Sequence, residues 1–386
     1  MQKISRNVLL LGLVSLLTDI GSEMVYPLIP VILSTMASAP FALGLIEGVA
    51  ESTASLAKFY FGYLSDKIKK RKRFAVFGYG LSLVGQAVLA LAGNWPLVLA
   101  SRFINRFGKG IRTAPRDALI NESVPKERLG AAFGLHRAMD TAGALIGVLI
   151  AYFLIAKFSF SASRAIYFSL IPLLLGIGAL SLVKEKPKEE DDKKILPRLA
   201  ISIFSNRLKF FYLVSFIFAL GNSSNLFLIL RSLNLGFKPA SAILLYGLYN
   251  LFHALSSYPS GRLADRLGFE RVLMLGYFLY GLVYLSFSFV DGKIFTILLF
   301  AVYGLYAGLT EGVEKAFVAN EAGPERKATA QGVHATIVGS MLFPASILAG
   351  AVWQFFGFTF TFLFSASLAF LCAILMIRLM KMKART

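Results

Sequence analysis

The sequence predicts an all-α integral membrane protein: twelve transmembrane helices in two pseudo-symmetric six-helix bundles, with both termini cytoplasmic. Three observations predict it. Hydrophobic residues make up 56% of the 386-residue chain and charged residues only 16%, whereas soluble domains sit near 25% charged. Runs of about 20 mostly apolar residues recur along the chain, each long enough to cross a roughly 30 Å hydrocarbon core. Landmarks of the first half return in the second at a fixed offset. A porin-type barrel would instead show short alternating segments.

Taken in order, the first six spans are expected at 7–35, 41–63, 74–92, 96–120, 127–156 and 163–183. The N-terminus has a positive start and an apolar stretch, like a signal peptide. Without a small-residue cleavage site, and with Asp19 and Glu23 following at once, it reads as the first span. The turn ASAP (37–40) separates the first two spans, KIKKRKR (67–73) the second and third, and GNWP (93–96) the third and fourth. After the sixth span comes a polar segment rich in Lys and Glu, with Pro187 and Pro197. Its composition is that of a linker. The second six spans are expected at 208–232, 239–261, 271–290, 293–319, 327–354 and 358–380. The domains are therefore 1–183, the cytoplasmic linker 184–207, and 208–386.

The formal charge of +19 resembles a nucleic-acid signal, but the cations sit where membrane topology places them. KIKKRKR, KEKPKEEDDKK (184–194), DRLGFER (265–271) and the tail RLMKMKART fall on one side when the spans are counted in order. The opposite turns ASAP, GNWP, VDGK (290–293) and FFGF (355–358) hold one Lys between them. No nucleic-acid partner is expected; the lipid bilayer is. The single cysteine, Cys372, lies in an apolar run, which rules out a disulfide framework or a cysteine metal site.

The repeat is explicit. GYLSDKIKKRKR begins at Gly62 and GRLADRLGFERV at Gly261, an offset of 199. At that offset NESVPKER (121–128) meets NEAGPER (320–326). One residue is then lost, and GLH (134–136) meets GVH (332–334). Two parallel six-helix halves are one of the known transporter architectures.

Gly62-x-Leu64-x-Asp66-Lys67 and Gly261-x-Leu263-Ala264-Asp265-Arg266-x-Gly268 resemble the signature loop of the major facilitator superfamily. That loop lies between helices 2 and 3 and repeats between helices 8 and 9. The first copy departs from the pattern, with Lys69 where a glycine is usual. The resemblance covers the whole chain. It implies a gating latch on the cytoplasmic side formed by Gly62, Asp66, Gly261, Asp265 and Arg266, with Arg71 and Arg271 as local partners of the aspartates. Many proton-coupled members carry an Arg in helix 4 followed by a Gln-Gly type sequence; either Arg102 or Arg106 is the match here. Antiporters often have Gly-x-x-x-Gly-Pro in helix 5. This chain has Gly143-Ala-Leu-Ile-Gly147-Val148, without the proline. The pattern is most similar to the bacterial proton-coupled efflux branch, which implies a monomer in the inner membrane.

Helix 4 poses the sharpest question. Arg102, Arg106, Lys109 and Arg116 fall at steps that keep one helix face, with Arg112 on its flank. A cation facing lipid at a helix centre costs about 2.5–3.5 kcal/mol on insertion scales. The stripe must face water, partner acids or a ligand. The acids on offer are Asp19 and Glu23 on helix 1, Glu47 and Glu51 on helix 2, and Asp140 beside His136 on helix 5. A purely structural neutralisation of the stripe by these acids is the competing reading.

The second half is less charged. Helix 7 offers Asn222 and Asn225, helix 8 Tyr249 and His253, and helix 10 Tyr303, Tyr306, Glu311, Glu314 and Lys315. His136 and His334 occupy equivalent repeat positions and are candidate proton carriers. The expected substrate wall is thus Arg102, Arg106, Lys109, Arg112, Asn222, Asn225, Tyr249, Tyr306 and Glu311. The expected proton-coupling set is Asp19, Glu23, Glu47, Glu51, His136, Asp140 and His334.

These readings converge on a secondary transporter exporting a small organic anion against protons. Multidrug efflux of lipophilic cations is the main alternative, and export of a metal or metal chelate the second. No compact His/carboxylate spacing calls for a resident metal. No phosphate-binding loop, nucleophile elbow or His-Glu-x-x-His motif points to an enzyme, and no cofactor is expected.

Overall fold

The computed structural model describes residues 5–36, 40–68, 70–125, 128–185, 201–323 and 326–382, and every side chain there except those of Asp66, Ser202 and Ala328. All regular elements among them are helical. Most of the expected linker, 186–200, lies outside the described residues, as does Lys69.

The first span is divided. Helix α1 runs Arg6–Val25, a 3₁₀ turn occupies Tyr26–Leu28, and α2 resumes at Ile29–Thr35. Pro27 and Pro30 are the local cause, since a proline removes a helical N–H donor and crowds the preceding turn. Helices α3 (Pro40–Ile68), α4 (Arg71–Ala90), α5 (Trp95–Glu122), α6 (Leu129–Ala156) and α7 (Ala162–Ser181) follow. In the second half the expected span at 208–232 is likewise divided, into α8 (Asn206–Gly221) and α9 (Leu226–Asn234). Its break falls at a polar run, Asn222 to Asn225, whose side chains compete for the backbone. Then come α10 (Pro239–Leu267), α11 (Phe269–Phe289), α12 (Lys293–Ala322), α13 (Lys327–Phe356) and α14 (Phe358–Lys381).

Nine segments among the described residues are long and apolar enough to cross a membrane. Helices α3, α5 and α10 form at the expected places but carry the acids, cations and polar residues singled out above. Both α3 and α10 run on past the expected span ends, so most of each signature segment is helix rather than loop. The side chain of Asp66 lies outside the described set.

The chain divides into two compact units. The first comprises Met1–Ser38, Val49–Leu196 and Pro239–Leu244; the second comprises Ala39–Gly48, Pro197–Lys238 and Leu245–Thr386. In the first, α1 packs on α6 and α7, and α4 on α5 and α7. In the second, α8 packs on α13 and α14, and α11 on α12 and α14. The apolar centre of the first unit gathers Val8, Leu11, Tyr79, Ile120 and Leu180. That of the second is aromatic, with Phe211, Phe317, Tyr277, Tyr280, Tyr284 and Phe362 all buried. Leu56, Leu255, Ile294 and Phe355 are each more than 60% exposed, an apolar exterior suited to hydrocarbon rather than water.

Small residues set the closest approach. A Cβ added at Gly143 would lie 2.5 Å from the Leu16 carbonyl oxygen, and one at Gly147 would collide with the Ile20 carbonyl oxygen. The Gly-x-x-x-Gly pair thus seats α6 directly on the backbone of α1. Gly147→Val is expected to destabilise the protein by about 1–3 kcal/mol or more, because a backbone carbonyl cannot yield as a side chain does. Gly178→Ala, where nothing lies within 4 Å of the added carbon, is the control. Thermal unfolding of the purified protein in detergent separates the two.

The charged ends of the helices show a repeat-related exchange of sign. In the first unit Arg71, at the start of α4, pairs with Glu122 at the end of α5. The Arg71 backbone N–H also donates to Glu185 at 2.6 Å. At the 199-residue offset these positions are Glu270 and Glu321. Both carboxylates are met by Arg207 of α8, which pairs with Glu270 and lies 3.4 Å from Glu321.

Candidate functional site

Helix α5 is positioned by its N-terminus. Asn94 caps it, its side chain accepting the Leu97 N–H at 3.1 Å, and Pro96 occupies the first turn, both common start signals. The helix then lies close against α4. A Cβ at Gly78 would come within 2.6 Å of the Gly108 carbonyl oxygen, and one at Gly85 within 2.5 Å of the Asn105 nitrogen. Those glycines bring Ser82 and Gln86 of α4 against the polar face of α5. Asn105 donates to the Ser82 carbonyl at 3.0 Å. Gln86 donates to the Gly21 carbonyl at 2.9 Å and to Ser169 Oγ at 2.5 Å.

The cationic stripe rests on this frame. Arg102, Arg106, Lys109 and Arg112 line one cleft with Glu23, Tyr26, Ser82, Gln86 and Asn105. Arg102 is buried, with its guanidinium 5.8 Å from the centre of the Tyr26 ring. Arg106 Nη2 is 2.8 Å from Glu51 Oε1. Arg112 is buried over the Tyr79 ring at 4.3 Å, and its Nη1 donates to Ser82 Oγ at 2.5 Å. Lys109 is exposed into the cleft. Arg116 turns away to Asp117 and Ser15. The free volume between these groups is about 20 Å³, little more than one water. An anion larger than that enters only as the long cationic side chains move aside.

The expected proton-coupling residues are spread over several surroundings. Glu23 lines the cleft, and Glu51 holds Arg106. Asp19 is half-buried, in the field of Asp140, Lys109, Glu23 and Arg112. His136 Nδ1 lies 3.6 Å from Asp140 Oδ2 on the same helix, away from the cleft lining. Glu47 is fully buried in the second unit, where Ser224 Oγ donates to it at 3.3 Å.

The second unit has its own cavity, of about 270 Å³, lined by Asn222, Asn225, Tyr249, Tyr303, Tyr306, Thr310, Glu311 and Glu314 among others. Tyr249 and Tyr306 stack on Tyr303 from either neighbouring position, at ring-centre distances of 5.0 and 5.2 Å. The Tyr303 hydroxyl donates to Asn225 Oδ1 at 2.7 Å. Glu311 Oε2 is 3.2 Å from His253 Nε2, and its Oε1 is 3.3 Å from Lys315 Nζ. Glu314 accepts the Tyr277 hydroxyl at 3.0 Å. His334 Nε2 is 3.9 Å from Glu314 and 3.2 Å from Ser215 Oγ, with its ring stacked on Phe211. Among the described residues, no group of three or more His, Cys, Asp or Glu is arranged to hold a metal ion.

Among the described side chains, the expected gating residues lie outside both cavities. Gly62 approaches α5, where an added Cβ would sit 3.1 Å from Ala114 Cβ, whereas Gly261 faces open space. Arg71 pairs with Glu122. Asp265, Arg266 and Arg271 are exposed.

A family model described as Major Facilitator Superfamily matches residues 11–338 and 211–385. The chain belongs to the major facilitator superfamily. An uncharacterized MFS-type transporter of Methanocaldococcus jannaschii is 38% identical over 382 residues, 97% of this chain and 95% of that one. Multidrug resistance protein MdtH of Salmonella paratyphi C is 28% identical over 183 residues, 45% of each chain. Among solved structures, the nucleoside transporter NupG superposes with a TM-score of 0.81 at 15% identity, covering 98% of this chain and all of that one. The protein is thus an MFS-type membrane transporter with a multi-pass helical fold. The relative at 38% identity is archaeal, whereas the motif pattern is most similar to a bacterial branch.

Several residues of the two cavities were not expected. Ser82, Gln86 and Asn105 are polar residues inside apolar spans, which is the signal that would have found them. Tyr26, and Tyr79 beneath Arg112 outside the cleft lining, carried no such signal, because an aromatic residue in a membrane helix is ordinary.

Proposed function

We propose that this major facilitator is a secondary active transporter that exports a small organic anion across the cytoplasmic membrane, coupled to protons. In this reading twelve helices span the bilayer in two six-helix halves, 1–183 and 208–386, joined by the cytoplasmic linker 184–207. Both termini are cytoplasmic, the protein acts as a monomer, and alternating access moves the substrate. The observation that carries it is the cleft of the first unit. Four cations from a single helix face converge there with one lining carboxylate, Glu23, and a second, Glu51, behind Arg106. Fixed guanidinium groups suit a carboxylate or phosphate, and a proton arriving on Glu23 or Asp19 makes the wall more positive while one leaving makes it less so. Protonation and anion binding are thereby linked through charge: a proton on these acids favours the bound anion, and its departure favours release. The signature segments at Gly62–Asp66 and Gly261–Arg266, with Arg71 and Arg271 beside them, are assigned to gating.

A thermal-shift screen on detergent-purified protein tests the substrate sign. Organic anions are expected to raise the unfolding temperature, since a ligand of the folded state stabilises it. Stabilisation by lipophilic cations alone would favour the multidrug-efflux reading that the partial likeness to MdtH suggests. Coupling is tested in proteoliposomes: Asp19→Asn or Glu23→Gln is expected to flatten the dependence of transport on the pH gradient. Full retention of that dependence in both variants would remove these acids from the proton path.

A further inference from the structure

The two cavities differ in lining, and the larger has no Lys or Arg in its wall, with Lys315 behind Glu311 at 3.3 Å. In the first unit the cleft lining carries three Arg and one Lys around about 20 Å³ of free volume. In the second the lining carries two carboxyl groups, Glu311 and Glu314, three tyrosines, and neither Lys nor Arg, around about 270 Å³. The second volume approaches that of pockets which enclose small organic ligands. Its tyrosines form a continuous stack, Tyr249 on Tyr303 on Tyr306. Electron-rich ring surfaces with carboxylates beside them attract organic ammonium groups, by cation–π attraction and by charge-assisted hydrogen bonds. Asn222, Asn225 and Thr310 add neutral partners for the remaining N–H donors.

We propose that the cavity of the second unit is a binding site for an organic ammonium group, with Glu314 as its charge partner, Glu311, shared with Lys315, as a second, and the Tyr249–Tyr303–Tyr306 stack as its wall.

Two probes of one shape test it on the full-length protein: 2-phenylethylamine (ammonium only) and 3-phenylpropionate (carboxylate only). Affinities are measured by calorimetry, with thermal shift as a second readout. The amine is expected to bind the wild type. Glu314→Gln and Tyr303→Leu are expected to shift the amine-to-carboxylate affinity ratio at least tenfold against the amine. Each variant is scored only after a cooperative unfolding transition shows that it is folded; Glu311→Gln is the substitute where one is not. No amine binding by the wild type, or an unchanged ratio in the folded variants, overturns the proposal. Amine binding that responds to these variants, with no response to 3-phenylpropionate, keeps this site and removes the anion reading instead.

Discussion

Arg106→Ala is expected to abolish anion stabilisation and to lower stability by about 3 kcal/mol, the lower end of what breaking a buried ion pair costs. The lower end applies because Arg106 is 11% exposed but its partner Glu51 is 34% exposed, so water partly screens the carboxylate left behind. The double variant Arg106→Ala/Glu51→Ala separates the two effects. It removes both charges, so most of the lost stability should return, while anion binding should not. The double-mutant cycle reads the coupling directly. Recovery of anion binding in the double variant would mean that the Arg106–Glu51 pair is only a structural counterweight. The other cations would then hold the ligand.

Arg207→Ala is expected to have the largest effect on stability, about 3–5 kcal/mol. Arg207 is 11% exposed and serves two carboxylates, Glu270 at 17% and Glu321 at 9%. Removing it leaves both acids crowded together without a cation. Glu270→Gln in the Arg207→Ala background should restore part of the loss by removing one of the two charges. Unfolding in detergent measures both steps, and no rescue would place the cost of Arg207→Ala in lost packing against Phe317, whose ring lies 5.9 Å from the guanidinium.

The repeat was legible in the sequence, but the way each half uses it was not. NESVPKER and NEAGPER align, and Glu122 and Glu321 occupy matching places. That Arg71 answers the first acid while Arg207 answers the second depends on which helices touch, and local periodicity carries no such information. The helices themselves were legible because apolar length and turn residues are local properties. The α5 stripe was legible for the same reason: four cations at helical steps announce a polar face. Its choice of partners was not. Glu51 rather than Glu47 meets Arg106, and Arg112 goes to Ser82 and Tyr79 rather than to an acid. The second-unit cavity was legible residue by residue, in Asn225, Tyr249, Tyr306 and Glu311. Their convergence needed the fold, because Tyr303 and Tyr249 meet only where α12 crosses α10.

The divided first helix of each half carries a mechanical consequence. The breaks fall at matching repeat positions, Tyr26 and Asn225. Each lies just beyond a glycine whose carbonyl is held by a side chain from another helix: Gly21 by Gln86, and Gly221 by the Tyr280 hydroxyl at 3.0 Å. A continuous helix transmits a tilt along its whole length. An interrupted one bends at its break, so the angles between α1 and α2 and between α8 and α9 are set at these pivots, while Arg231, donating to the Val290 carbonyl at 2.7 Å, keeps α9 seated in its bundle. The amides just past each pivot are therefore the places where deuterium should enter the membrane-embedded backbone soonest.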